Sequence, residues 1–346
     1  MRKQLLNIIV LFSIIALVFG VASCTKTAEE VPAQVPDEVY EIRISSQMPI
    51  GHFLTDTTDL FCQRAEEMSN GRLKFTHYPS GQLLTDKEVA DNIKHGTVEM
   101  AVAAISSWVE LLPGMVLYYG VPELRDVPHY EQYNQQHLLP IFSDILETKA
   151  NAKAVGHFLC LVDIGYICTQ PLHEPADFQG LKIRTASPII DPEIEALGGT
   201  CVLMSSADLY MALQQGTIDG AYTMLTSMVM RHLYEVAQNV IIIYASPAEF
   251  YAVSNLDFWN SLPEDLQQVI LDAGDEAYEY SVIACLEAEE EARQYLREHG
   301  VEVYYPAGEE KAAFMQLIWP ERQRWAADMF GQESVDEVIE WAEAAK

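Results

Sequence analysis

Cys24 is the residue most clearly placed for covalent chemistry. Arg2 and Lys3 lead into an almost unbroken apolar run from Leu5 to Ala22, which closes on the small residues Ala22 and Ser23 just before that thiol. A basic head, an apolar stretch and small residues before a cut make an export signal. At about 18 residues the run could also span a bilayer, but it lacks a basic stop, and residues 25–39 read as a polar Pro/Ala/Glu tether. The other five cysteines (Cys62, Cys160, Cys168, Cys201 and Cys285) form no C-x-x-C pair, so zinc and dithiol chemistry find no support. An odd number leaves at least one unpaired, and Cys160, inside an apolar run, reads as a buried thiol. The chain has no G-x-S-x-G, H-E-x-x-H or Walker-type lysine motif. Acids are so abundant that carboxylate pairs carry no glycosidase signal. No catalytic residue, cofactor or metal is expected, and a lipid-anchored hydrolase is an alternative without a motif behind it.

Cleavage before Cys24 would remove Arg2 and Lys3 and no acid, taking the net charge from −30 to −32 over the remaining 323 residues. So anionic a surface repels phosphate backbones and headgroups, which excludes nucleic-acid binding and a peripheral membrane role. A hydrophobic content of 49% with 10% aromatics excludes disorder beyond the tether. The length suits about two domains.

The elements that must position any site can be read from periodicity. Residues 39–45 alternate as a half-buried strand, 55–69 carry helical spacing ended by Asn70-Gly71, and 73–78 alternate again. Strand, helix, strand points to an α/β fold. Thr85-Asp86-Lys87-Glu88 has the form of a capping box, followed by a helix to His95, a break at Gly96 and a strand from Val98 to Ala103. The pattern recurs 120 residues later: Ser205-Ser206-Ala207-Asp208, a helix ending at Gly216, and a strand from Ile218 to Thr223. Two similar α/β lobes facing one another would give this repeat. Beyond Pro263, residues 264–299 contain no Pro and only Gly274, which predicts a helix about 50 Å long lying across both lobes. A last strand over 301–305 and helix from Glu309 onward complete the chain.

Several stretches together resemble the extracytoplasmic solute-binding proteins of TRAP transporters. They are Gly71-Arg72-Leu73 leading to Gly81-Gln82-Leu83, Val121-Pro122-Glu123-Leu124-Arg125-Asp126, and Pro175 to Arg184 with its Gly180-Leu181-Lys182-Ile183-Arg184 ending. Ala212 to Gly220 and Leu262-Pro263-Glu264-Asp265-Leu266-Gln267 follow in order. Val21-Ala22-Ser23-Cys24 likewise resembles the bacterial lipobox, whose thiol receives a diacylglycerol and becomes the new N-terminus. The resemblance implies a two-lobed, periplasmic-binding-protein-like flytrap with a long bracing helix, tethered by lipid to the extracytoplasmic face of a bacterial membrane. It divides the chain into a signal peptide (1–23), tether (24–39), main part of lobe I (40–162), main part of lobe II (163–246), crossover strand region (247–262), bracing helix (263–300), and C-terminal strand and helices (301–346). It further implies a small organic acid as ligand, small and large TRAP membrane subunits as partners, and an ion gradient as the power source. The same flytrap presenting its ligand to a membrane kinase is the alternative.

In this family the arginine ending Gly-Leu-Lys-Ile-Arg holds the ligand carboxylate, a role that falls on Arg184. A guanidinium offers a flat fork of N–H donors matching a carboxylate and stays charged when partly dehydrated. Alternation turns Leu181 and Ile183 to one face and Lys182 and Arg184 to the other. The chain departs from the family pattern at two places. No second arginine stands in Asp163 to Cys168, where Tyr166 lies, and Thr223, preceded by Tyr222, takes the place of a common asparagine. These departures suggest a monocarboxylate with an apolar or aromatic body. Gln47 and His52 after the first strand, Trp108 with Ser106 and Ser107 after the strand ending at Ala103, and Phe250 near the crossover are further cleft candidates. Core packing is the competing reading for each aromatic, and a helix-start position for His52.

Overall fold

The computed structural model describes residues 38–109, 139–244, 246–333, 335–336 and 339–340. The signal segment, Cys24, all of the tether before Glu38 and the Pro122 motif lie outside the described residues.

Strand β1 (Tyr40–Ser46) buries Ile42 and Ile44 and exposes Glu41 and Arg43, the two-residue period expected of one covered face. Helix α1 (Phe53–Met68) starts two residues before the sequence signal because the His52 side chain caps it, its Nδ1 accepting from Leu54 N–H at 3.2 Å. Asn70 and Gly71, both at positive φ, turn the chain out of α1 and into β2 (Leu73–Tyr78). Ahead of α2 (Val89–Lys94), the Glu88 carboxylate reaches back to the Thr85 N–H, as the capping box predicts. The Thr85 hydroxyl, however, donates to that same carboxylate instead of accepting a helix N–H. Next come β3 (Met100–Ala104), α3 (Leu139–Lys149) and β4 (Ala152–Val162).

The second sheet opens with β5 (Ile164–Cys168) and β6 (Lys182–Thr185), then α4 (Asp191–Ala196), β7 (Thr200–Leu203), α5 (Leu209–Gln214), β8 (Gly220–Met224), α6 (Leu225–Met230) and β9 (Asn239–Ile241). The chain crosses back through β10 (Ser246–Asn255) and α7 (Leu256–Ser261), and ends its described course with α8 (Glu264–Glu298), β11 (Glu302–Tyr304) and α9 (Gly308–Phe330). One sheet runs β2-β1-β3-β10-β4 and the other β11-β9-β5-β8-β6-β7. In the first, β1 pairs in parallel with β2 and β3, while β10 is antiparallel to β3 and β4. The repeat is thus real in three dimensions: β3 lies inside one sheet and β8 inside the other. The Gly96 and Gly216 turns before them share a φ of 68°.

Helix α8 is 35 residues long, and its buried stripe from Leu266 through Ile270, Ala277 and Cys285 to Ala292 and Leu296 steps by three and four. Leu266 to Cys285 join the core that includes β1, β4 and α1, whereas Ala292 and Leu296 join the core beneath α5 and α6. One helix therefore braces both lobes. Gly274 sits where α8 crosses β4: a Cβ there would lie 2.5 Å from the Val155 carbonyl oxygen, so no larger residue fits without moving the strut. Cys62, Cys168 and Cys285 are buried free thiols, as expected of isolated cysteines in apolar surroundings.

Two carboxyl groups lie deep in the frame. Glu249 on β10 accepts from the Tyr251 hydroxyl, and burial pushes its pKa up to about 8. Glu289 on α8 accepts from the Asp163 N–H at the β4–β5 junction and is likewise pushed up to about 8, by burial with the Asp163 carboxylate adding to it. A carboxyl raised in the folded state contributes stability that is complete below its ordinary value near 4.5 and fades as pH rises towards 8. Glu249→Gln, which mimics the protonated form, is expected to raise the thermal midpoint at pH 8.5 and leave it nearly unchanged at pH 5. Differential scanning calorimetry at the two pH values checks this, and an equal shift at both would contradict it.

Candidate functional site

The ends of β1, β3 and β10 face the ends of β5, β6 and β8 across a cleft holding a cavity of ~690 Å³, its mouth included. Its walls are mostly apolar: Met48 and Phe250 from the first lobe, and Ile164, Ile189, Ile190 and Met224 from the second. The lobes are closed on one another. Lys87 Nζ donates to the Leu203 carbonyl at 3.0 Å, and His52 Nε2 pairs with Thr226 Oγ1 at 3.1 Å.

Arg184 reaches the cavity from β6, where Ile183 is packed into the core of the second lobe as alternation requires. The arginine is 1% exposed, and protein acceptors hold it in place. Its Nε donates to the Met204 carbonyl at 2.9 Å, Nη1 to the Tyr222 carbonyl at 3.3 Å, and Nη2 to Ser206 Oγ at 2.8 Å. Nη2 also lies 3.5 Å from Asp86 Oδ2 of the opposite lobe. Burial lowers its pKa to about 10, partly offset by Asp86, so it remains a cation at neutral pH.

A second guanidinium lines the same cavity. Arg231, at the C-terminal end of α6, donates from Nη2 to the Gln47 carbonyl across the cleft at 2.8 Å, and burial lowers its pKa. Among the described residues, no other protein group accepts from it. The cavity wall thus carries a second guanidinium that comes from an element outside Asp163–Cys168. The signal in the sequence was slight: a lone basic residue closing the apolar stretch Met228-Val229-Met230 in a chain with only 21 basic residues.

Of the residues expected at the cleft, Arg184, Tyr222, Thr223, Gln47 and Phe250 line the cavity, joined by Ser106. Four do not: Ser107 borders the adjoining pocket, and the placement of the other three is corrected. Tyr166 is 1% exposed, its hydroxyl donates to Glu193, and its ring lies 5.1 Å from that of Tyr222, so it backs the cleft wall without facing the cavity. Trp108 is wholly buried in the first lobe against Phe142. His52 caps α1 and bonds Thr226, and burial lowers its pKa to about 3, leaving a neutral ring in a lobe–lobe contact. Sequence reasoning missed Arg231, Asp86 and Ser206.

Two lobes on separate sheets, a brace shared by both and a largely apolar cleft with two cations define a solute receptor of the flytrap type. Residues 44–328 match the family described as bacterial extracellular solute-binding protein, family 7, and the chain belongs to that family, whose members are receptors and not enzymes. It is 27% identical over 285 residues to the C4-dicarboxylate-binding periplasmic protein DctP of Rhodobacter capsulatus, covering 80% of this chain and 83% of that protein. Among solved structures it resembles the sugar acid binding protein DctPAm of Advenella mimigardefordensis in complex with galactonate. There the TM-score is 0.84 at 18% identity, over 89% of this chain and 99% of that one. It also resembles a TRAP periplasmic solute-binding protein of Desulfovibrio salexigens with bound orotic acid, with a TM-score of 0.81 at 22% identity over 88% and 98%.

Proposed function

We propose that this chain is the lipid-anchored extracytoplasmic receptor of a TRAP-type secondary transporter. It captures a small monocarboxylic acid with an apolar or aromatic body and delivers it to the small and large membrane subunits. The observation that carries the reading is the cleft itself: a mostly apolar cavity with the guanidinium groups of Arg184 and Arg231 on its wall. The related proteins bind organic acids by name or by bound ligand, with one carboxyl group or with two. The ligand's carboxylate docks against the cavity face of the Arg184 guanidinium and the open donors of Arg231, where charge-assisted hydrogen bonds are strongest. Its body lies against Met48, Phe250, Ile189, Met224 and the Tyr222 ring, with Thr223 offering a polar tip. Closure is favoured only by the extra affinity of the ligand for the closed cleft, and the membrane subunits read the closed form. Cys24 carries the diacylglycerol that keeps the receptor at the membrane.

A thermal-shift panel on the soluble protein beginning at Thr25 tests the ligand class. A ligand present at a hundred times its dissociation constant contributes about 2.7 kcal/mol, several degrees of midpoint. Apolar and aromatic monocarboxylates should give such shifts and the corresponding amides and alcohols none. Equal shifts from the uncharged analogues would refute a carboxylate receptor.

A further inference from the structure

The two helix-start segments that repeat along the sequence touch each other across the cleft. Asp86 of the first and Ser206 of the second are 120 residues apart, and Asp86 Oδ2 accepts from both the Ser206 N–H (3.2 Å) and its hydroxyl (2.8 Å). Asp86 is 6% exposed, and the same oxygen faces Arg184 Nη2. A carboxylate of the protein's own thus already occupies one side of the arginine assigned to the ligand. Among the described residues, the charged groups on the cavity wall are Arg184 and Arg231, with Asp86 directly behind Ser206. Asp208 acts on Arg184 as well, but from an exposed position. Lys87 and Asp91 border the adjoining pocket beside Asp86 and offset each other. The closed cleft is left with one positive charge in excess.

We propose that Asp86 is the charge selector of this cleft: by neutralising one of the two arginines, it fits the closed site to an acid bearing a single negative charge and rejects diacids. The inference rests on the carboxylate-binding reading given above and assigns its selectivity to a residue that need not touch the ligand. The second carboxylate of a diacid would enter a desolvated site whose remaining cation is already engaged, beside a fixed negative charge. Burying a charge without a partner, next to one of like sign, is strongly unfavourable. Specificity then comes from a repulsive element, with the attractive arginines common to both kinds of acid.

Calorimetry with two matched pairs tests the proposal: 3-phenylpropanoate against phenylsuccinate, and hexanoate against hexanedioate. The wild-type protein is compared with Asp86→Asn, which keeps the shape and loses the charge, and with Ser206→Ala, which loosens the cross-lobe bond and keeps the charge. The wild type should prefer the monoacid of at least one pair by about tenfold or more, and Asp86→Asn should move that ratio towards the diacid by roughly tenfold. Ser206→Ala should retain the wild-type preference. An unchanged ratio in Asp86→Asn, or wild-type binding of both members alike, would overturn the selector while leaving the carboxylate receptor standing. A shift in Ser206→Ala as large as in Asp86→Asn would overturn it in favour of lobe closure as the source of selectivity. Binding of none of the four acids by any of the three proteins would overturn the receptor reading, and the selector with it.

Discussion

Arg184→Ala is expected to weaken carboxylate binding by at least about 3 kcal/mol, more than a hundredfold, with both lobes still folded. The loss has two parts. The ligand forfeits a charge-assisted contact, and the closed form must bury the Asp86 carboxylate with only Ser206 as partner. Folding survives because Asp86 and Arg184 meet at the lobe boundary, where opening the cleft returns the carboxylate to water. Arg184→Lys should recover only part of the affinity. An ammonium restores charge but cannot reach the Met204 carbonyl, the Tyr222 carbonyl and Ser206 in one plane as the guanidinium does. Titration calorimetry together with circular dichroism separates the two effects. Near-native affinity in the alanine variant would remove Arg184 from the site.

The largest effect on stability is expected at Arg322, far from any motif. Glu193 on α4 is fully buried and accepts from the Tyr166 and Tyr244 hydroxyls and from Arg322 Nη1 on α9 at 3.2 Å. The arrangement pins the C-terminal helix to the second lobe and, through Tyr166, supports the Tyr222 wall of the cleft. Breaking a buried pair from one side leaves an uncompensated charge, so Arg322→Ala should cost about 3–5 kcal/mol in urea unfolding. Adding Glu193→Gln should return a substantial share of that loss, because the stranded charge goes with it. A single-variant loss below about 1 kcal/mol would mean that the pair is held open to solvent.

Much of the frame could be read directly from residue spacing. The alternation in β1, the helical period of α1 and the glycine- and proline-poor stretch of α8 are local signals, and local geometry decides them. The 120-residue repeat announced two sheets with equivalent turns at Gly96 and Gly216. Arg184 could be placed at the cavity because its motif is contiguous. What escaped was set by contacts between distant segments. Asp86 fell inside the Thr85–Glu88 capping box with no role of its own, and nothing local said that its carboxylate would meet its own repeat partner at Ser206. Arg231 belongs to no motif, and only the packing of α6 brings it to Gln47. Tyr166 and Trp108 were misassigned because large aromatic side chains serve cores and pockets equally well, and only burial tells the two uses apart.

The central claim is that Arg184 holds the carboxylate of a small organic acid in the closed cleft. The most direct test is mass spectrometry of the soluble protein spanning Thr25 to Lys346, native and then denatured, beside its Arg184→Ala variant. A small organic acid with one carboxyl group, released on denaturing the wild type and absent from the variant, is the predicted result. Release of an uncharged solute, or of the same acid in equal amount from the variant, would contradict the account.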